Sequence, residues 1–369
     1  MIEAKLYQLF YLSIVTVATL SIQQQYKKRI YDEIINNSKV SSAVLMMVFM
    51  IVFIGFRPHS AVFIDTMNYI LDYKFSEGHH FDFDINAKNF IFDNLFAYFS
   101  ANRLGITSFF VVIASIYFAC SLLAIRRLFP NDTFAVYLTF LAAFSTFTYS
   151  TNGIKAGAAA SIFLLALSYR DKLIPCLLGM IVCIGMHHSM KMPVAAFVLT
   201  LFFRNPKYYF YGWVFCAIMA AGHVGFFQDI FAGLSEGGKN TYLTATSDTA
   251  DAYISGFRPD FMLYSAMPVW VGYVAKYKKG IQSTMYDTLL YTYMVANGIW
   301  MLCMYASFTN RIAYLSWSLY PVVLVYPFLK KEWGEDRYQW FAKVMLWHLL
   351  FTLFMEMIYY GGLVKWLGL

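Results

Sequence analysis

Twelve apolar stretches, separated by short polar or basic connectors, run through this chain. They lie near residues 4–22, 39–56, 106–125, 133–149, 153–169, 172–187, 190–203, 209–227, 261–275, 284–305, 311–329 and 340–360. A helical crossing of a bilayer core needs about 17 to 25 predominantly apolar residues, and most of these stretches have that length. The short ones, 153–169, 190–203 and 261–275, fit tilted, broken or re-entrant helices. Only 13% of the residues are charged and 60% are hydrophobic, whereas a soluble domain carries about 25% charged residues. No water-facing surface can be assembled from such a chain. The expectation is an all-α polytopic membrane protein with about twelve transmembrane helices in a single transmembrane domain, residues 1–369.

Leu6–Ile22 reads as the first span, because its basic cluster, Lys27, Lys28 and Arg29, follows the run where a cleavable leader would have it in front. Alternating the spans from there gathers 17 of the 28 Lys and Arg residues on one face, through Lys27/Lys28/Arg29/Lys39, Arg126/Arg127, Arg170/Lys172, Arg204/Lys207, Lys276/Lys278/Lys279 and Lys330/Lys331/Arg337/Lys343. That face is expected to be cytoplasmic. The net charge of +7 is therefore spent on orientation and offers no single patch for nucleic acid. All five cysteines fall inside apolar runs without metal-type spacing, which fits packing.

The two longest connectors, 57–105 and 228–260, fall on the opposite, extracytoplasmic face. The first spaces aromatic residues among Asp65, Asp72, Asp82, Asp84 and Asp93 as amphipathic surface helices do, and the second is rich in Gly, Ser and Thr, as a mobile lid is. The same face also receives isolated cations beside other polar groups: Arg57 with His59 and Asp65; Asn152 with Lys155; His187 and His188 with Lys191; Arg258 with Asp260; Asn310 with Arg311. Any one of these fits a boundary residue that reaches for the headgroups. Five such groups on one level repel one another unless an anion lies among them. Guanidinium and ammonium groups near helix ends suit a phosphate or diphosphate. A lipid-linked diphosphate would leave its tail in the bilayer, and the many Tyr, Trp and Phe residues offer stacking surfaces for sugar rings.

Four pieces carry a resemblance: "GFRPHSAVFIDTMNY", "TNGIKAGAAASIFLLALSYR", "MHHSMKMP" and "TNRIAYLSWSLYPVVLVYP". Their order and spacing between about residues 50 and 330 resemble those of EpsG-like, Wzy-type bacterial polysaccharide polymerases. Two positions depart from that family's pattern, with Lys155 where it usually has Arg and Ala156 where it has Gln. A forked contact is thereby exchanged for a point charge.

The resemblance implies a GT-C-like glycosyltransferase in the bacterial cytoplasmic (inner) membrane, acting on the extracytoplasmic side. It would join undecaprenyl-diphosphate-linked oligosaccharide repeat units of a capsule, exopolysaccharide or O-antigen, without metal or cofactor. The implied partners are a lipid-linked donor and acceptor, membrane lipid and a chain-length regulator protein, with no nucleic acid. Such a reaction needs charge stabilisation on the leaving diphosphate and a base for the incoming hydroxyl. Arg57, Lys155, Arg258 and Arg311 are the candidates for the first, and Asp65 or His187 for the second. Asn152, His188, Lys191, Asn310 and Tyr314 would line the substrate site. His188 ranks below His187 because neighbours on a helix point about 100° apart. Glu356, a carboxylate inside the last span, is a functional suspect by its position alone. Two other classes remain: a lipid-linked oligosaccharide flippase, which would show mid-span charges and similar halves, and a membrane acyltransferase working on polysaccharide.

Overall fold

A computed structural model describes residues 3–28, 38–224, 226, 256–306 and 309–359. Among these residues there are sixteen α-helices and no strand. They are α1 (Tyr7–Lys28), α2 (Ser38–Gly55), α3 (Ile64–Ser76), α4 (Phe90–Ala101), α5 (Ile106–Leu128), α6 (Thr133–Leu141), α7 (Phe144–Thr151) and α8 (Ile154–Ser168). Then follow α9 (Leu173–Met186), α10 (Lys191–Phe202), α11 (Pro206–Ala221), α12 (Pro259–Tyr273), α13 (Thr284–Leu302), α14 (Thr309–Trp317), α15 (Tyr320–Val325) and α16 (Arg337–Leu353). Among the described residues, each of the twelve apolar stretches contains helix, although several are interrupted. The connector 57–105 carries α3 and α4, and the polar loop at 228–260 falls outside the described residues up to residue 255.

Among the described residues, Ala4–Lys28, Ile106–Leu128 and Arg337–Met357 are each long and apolar enough to cross a membrane. Thr309–Trp317 and Tyr320–Leu329 qualify together as a pair bent by 43°. The outward faces carry the same message. On α9, Leu173, Ile174, Leu177, Leu178 and Ile181 are all at least half exposed, while Cys176, Met180, Cys183 and Met186 on the other side are buried. A helix that presents an unbroken apolar row outward has been built for lipid, because soluble surfaces avoid large contiguous apolar patches. This chain is a membrane protein.

Helix contacts divide the chain into two compact units, Met1–Lys191 with Phe328–Leu369, and Met192–Pro327. In the first, α5 packs against α2 and α8, α8 against α9, and α1 against α16. Small residues set the closest crossings: a Cβ added at Gly179 of α9 would lie 2.5 Å from the Ala166 Cβ of α8, and one at Gly55 of α2 would lie 2.7 Å from Val111 Cγ2 of α5. Backbones can approach this closely only where side chains are nearly absent. In the second unit α13 packs against α11, α12 and α14. One buried amide ties all four helices, for Asn297 accepts from Trp213 Nε1 at 2.9 Å and donates to Ser265 Oγ and Ser316 Oγ at 3.0 and 3.1 Å.

Several of the expected single spans are broken. The stretch 133–149 is two helices joined at Ala142 and Ala143, where the Thr146 hydroxyl caps the end of α6 by donating to the Phe140 carbonyl at 2.7 Å. The next break, "STNGIK", combines residues whose side chains compete for backbone hydrogen bonds with a glycine that starts α8. Gly157 is required there, since a Cβ would meet the Tyr149 carbonyl at 2.5 Å as α7 folds back on α8.

Candidate functional site

In the first unit the candidate residues fall into two hydrogen-bonded groups, one around Arg57 and one running from Lys155 to His188. The first begins at Arg57, which follows α2 and is 2% exposed. Its guanidinium donates to Thr66 Oγ1 from Nε (3.3 Å) and Nη2 (3.0 Å), donates to the Ile54 carbonyl from Nη1 (3.1 Å), and covers the Phe110 ring at 4.1 Å. Burial lowers Arg57 to about 10, which leaves it charged at neutral pH. Thr66 Oγ1 in turn donates to the Thr151 carbonyl at 2.9 Å, satisfying an acceptor that the end of α7 leaves open. The neighbouring Asn152 accepts from the Asp65 backbone N–H at 2.8 Å. Arg57 thus faces inward and braces the segment that carries Asp65 and Asn152.

Lys155 stands in the first turn of α8, where the helix dipole disfavours a cation and attracts an anion. Its ammonium donates to Asp93 Oδ1 of α4 at 2.9 Å and lies 4.6 Å above the Phe92 ring. Asp93 also reaches back to its own helix start, where Oδ2 accepts the Asn89 backbone N–H at 3.0 Å. The Asn89 side chain makes no cap bond to the first turn of α4, and its Nδ2 donates to Asp93 Oδ2 at 3.2 Å, which leaves its Oδ1 to face the histidines. Asn89 Oδ1 then accepts from the His188 backbone N–H at 3.1 Å and lies 3.0 Å from His188 Nδ1. The line ends at His187, whose ring stacks on that of His188 with centroids 4.9 Å apart.

The helical argument for separating the two histidines does not apply to this geometry. α9 stops at Met186, and His187 is extended, with φ −152° and ψ 120°, ahead of a short 3-10 turn. Its Nδ1 accepts from the Ser189 backbone N–H at 3.2 Å and also meets the Ser189 hydroxyl. Burial first, then the nearby His188 and Lys155, lower the His187 pKa from its ordinary 6.5 to about 3. The imidazole is therefore neutral at pH 7, and an anion brought beside it would pull the value back up.

A stability prediction follows from that shift. With a folded pKa of about 3 against 6.5 unfolded, the unfolded chain binds more protons between those limits. Stability contributed by the neutral imidazole is therefore present above about pH 6.5 and lost on acidification toward pH 3. The expected result is a melting temperature in detergent that falls below pH 6.5, with a shallower slope in His187→Gln; equal slopes would count against the buried neutral ring.

Lys191 is exposed at the start of α10. In the second unit, Arg258 precedes α12 and forms a two-pronged pair with Asp260, at 3.0 Å from Nε and 2.6 Å from Nη2, above the Phe261 ring. The carboxylate there also falls in the first turn of a helix, where negative charge is favoured. On α14, Asn310 is half-buried, Arg311 exposed and Tyr314 buried, its ring 5.4 Å from that of Trp317. The Arg57 group depends on Thr66 and the Lys155 group on Asn89 and Asp93, none of which the sequence alone assigns to the site. Thr66 lay within a quoted motif, and the Asn89–Asp93 spacing was the available signal of a helix start.

No curated protein and no solved structure matches the chain. Residues 42–365, however, match the EpsG family, the family of Wzy-like polysaccharide polymerases. Covering most of the chain, that match shows that this membrane protein belongs to the EpsG family.

Proposed function

We propose that the protein polymerises undecaprenyl-diphosphate-linked oligosaccharide repeat units at the extracytoplasmic face of the bacterial inner membrane, as a GT-C-like enzyme with about twelve spans. One observation in a chain of this family carries the reading: the Lys155–Asp93–Asn89–His188 line sets a cation at a helix N-terminus in continuity with two stacked imidazoles. In the reaction, the bond between the donor's anomeric carbon and the diphosphate oxygen breaks. The acceptor sugar's hydroxyl oxygen bonds to that carbon, and its proton passes to Asp65 or His187. Lys155 and the amides at the start of α8 meet the charge on the departing lipid diphosphate. As the diphosphate gains charge, it raises the His187 pKa and improves the ring as a proton acceptor. Arg57 supports Asp65 and Asn152 from behind; Arg258, Arg311, Asn310 and Tyr314 of the second unit, with His188 and Lys191, are proposed to bind the remainder of the lipid-linked substrates.

The test is incubation of purified protein with lipid-linked repeat units. A ladder of longer glycans is expected from the wild type, and His187→Ala should slow it by about 10²- to 10⁴-fold, the usual contribution of a positioned proton acceptor. Transport of the units across vesicle membranes without any ladder would favour a flippase.

A further inference from the structure

The seam in the first unit where α1 meets α16 and α6 buries polar side chains that glycosyl transfer does not use. At one end, Gln8 Nε2 donates to Glu356 Oε2 at 2.6 Å, and Tyr11 donates to the Leu141 carbonyl at 2.7 Å. Midway, His348 Nε2 lies 3.1 Å from the Thr139 carbonyl. At the other end, Tyr26 donates to Asp132 Oδ1 at 2.6 Å. Between these points are Thr16, Thr19, Gln23, Tyr137 and Thr352, each with a buried oxygen that has no hydrogen-bond partner. Thr19, Gln23, Tyr137 and Thr352 are 4% exposed or less.

The Gln8–Glu356 bond and the Tyr26–Tyr338 ring contact fix an antiparallel register. In that register Thr16 lies level with His348, and Leu12 with Thr352. Polar atoms therefore recur at about every helical turn from Gln8 to Tyr26, a rise of about 27 Å against a hydrocarbon core of about 30 Å. His348, Thr352 and Glu356 share one face of their helix by fourfold spacing. Around Glu356 the helix widens into a π-turn, Phe354–Tyr359, a distortion frequent at functional sites.

A seam that only joined two helices would be apolar or fully paired, because an unpaired buried oxygen gives up its hydrogen bonds to water. Several such oxygens in file, beside an imidazole and a carboxyl, provide what buried water needs and what intramembrane proton relays are made of. We propose that this seam is a hydrated proton path that runs from the Glu356 carboxyl at one end to Asp132 at the other. Each hydroxyl, water or imidazole accepts a proton from one side as it releases one to the other, so nothing is consumed. The titratable group facing Glu356 is Tyr11, which in turn has Tyr137 and, from α5, Tyr117 beside it.

The test is independent of the polymerase reading. Full-length protein is reconstituted in vesicles that enclose a pH-sensitive dye, and valinomycin in a potassium gradient draws protons inward. Influx at least tenfold above protein-free vesicles is expected, falling at least tenfold in Glu356→Gln or in the double variant Thr19→Val with Gln23→Leu. A fall in either variant upholds the seam. Wild-type influx equal to that of protein-free vesicles, or influx unchanged in both variants, overturns it.

Discussion

Lys155→Ala is expected to slow glycan extension by about 10²- to 10³-fold, the loss typical of a donor aimed at developing negative charge. Its effect on stability should be small. The Lys155 and Asp93 side chains are 23% and 33% exposed, and a partly solvated ion pair contributes about 1 kcal/mol or less. The contrast between a large kinetic loss and an unchanged melting temperature separates a substrate contact from a packing role. Lys155→Arg should retain activity, because it keeps the positive charge and adds a forked donor for an anion. A ladder at the wild-type rate from Lys155→Ala would remove this lysine from the mechanism.

Arg57→Ala is expected to act the other way round, with stability failing first. The substitution deletes a buried side chain with three hydrogen bonds and a face-on contact with Phe110, and strips partners from Thr66 and the Ile54 carbonyl. Cavity and unpaired-group terms together suggest about 2–4 kcal/mol. Arg57→Lys should recover little of it, since an ammonium cannot reproduce the fork that bridges Thr66 and Ile54. Thermal unfolding in detergent measures both. If Arg57→Ala melts like the wild type and loses only extension activity, the arginine touches substrate directly and the bracing role is wrong.

The positions of the helices were legible because a chain with this little charge has few ways to hide its backbone except in helix. Where helices break was harder to read. The joint after Thr151 is held by Thr66, distant in sequence, and the end of α9 by the Asn89 side chain. Hydrogen bonds of that kind leave no periodicity behind them. The cations of the site were visible as isolated charges at the ends of apolar stretches, but the counter-ion of Lys155 was not, because Asp93 is one acid among six in its connector. The Arg258–Asp260 pair is legible in the sequence, since its partners are two residues apart. Ranking His187 over His188 assumed a helix continuing through both, and the extended backbone at His187 removes the basis for that ranking.

The two ion pairs, Lys155 with Asp93 and Arg258 with Asp260, also bear on how the proposed lipid-linked substrate would be captured. Each cation is neutralised by its own carboxylate, so its field fades quickly beyond the pair, and salt screens what remains over about 8–10 Å. Encounter would then depend on two-dimensional diffusion within the leaflet, and ionic strength would alter the rate of arrival far less than it does for enzymes that draw soluble phosphates from afar.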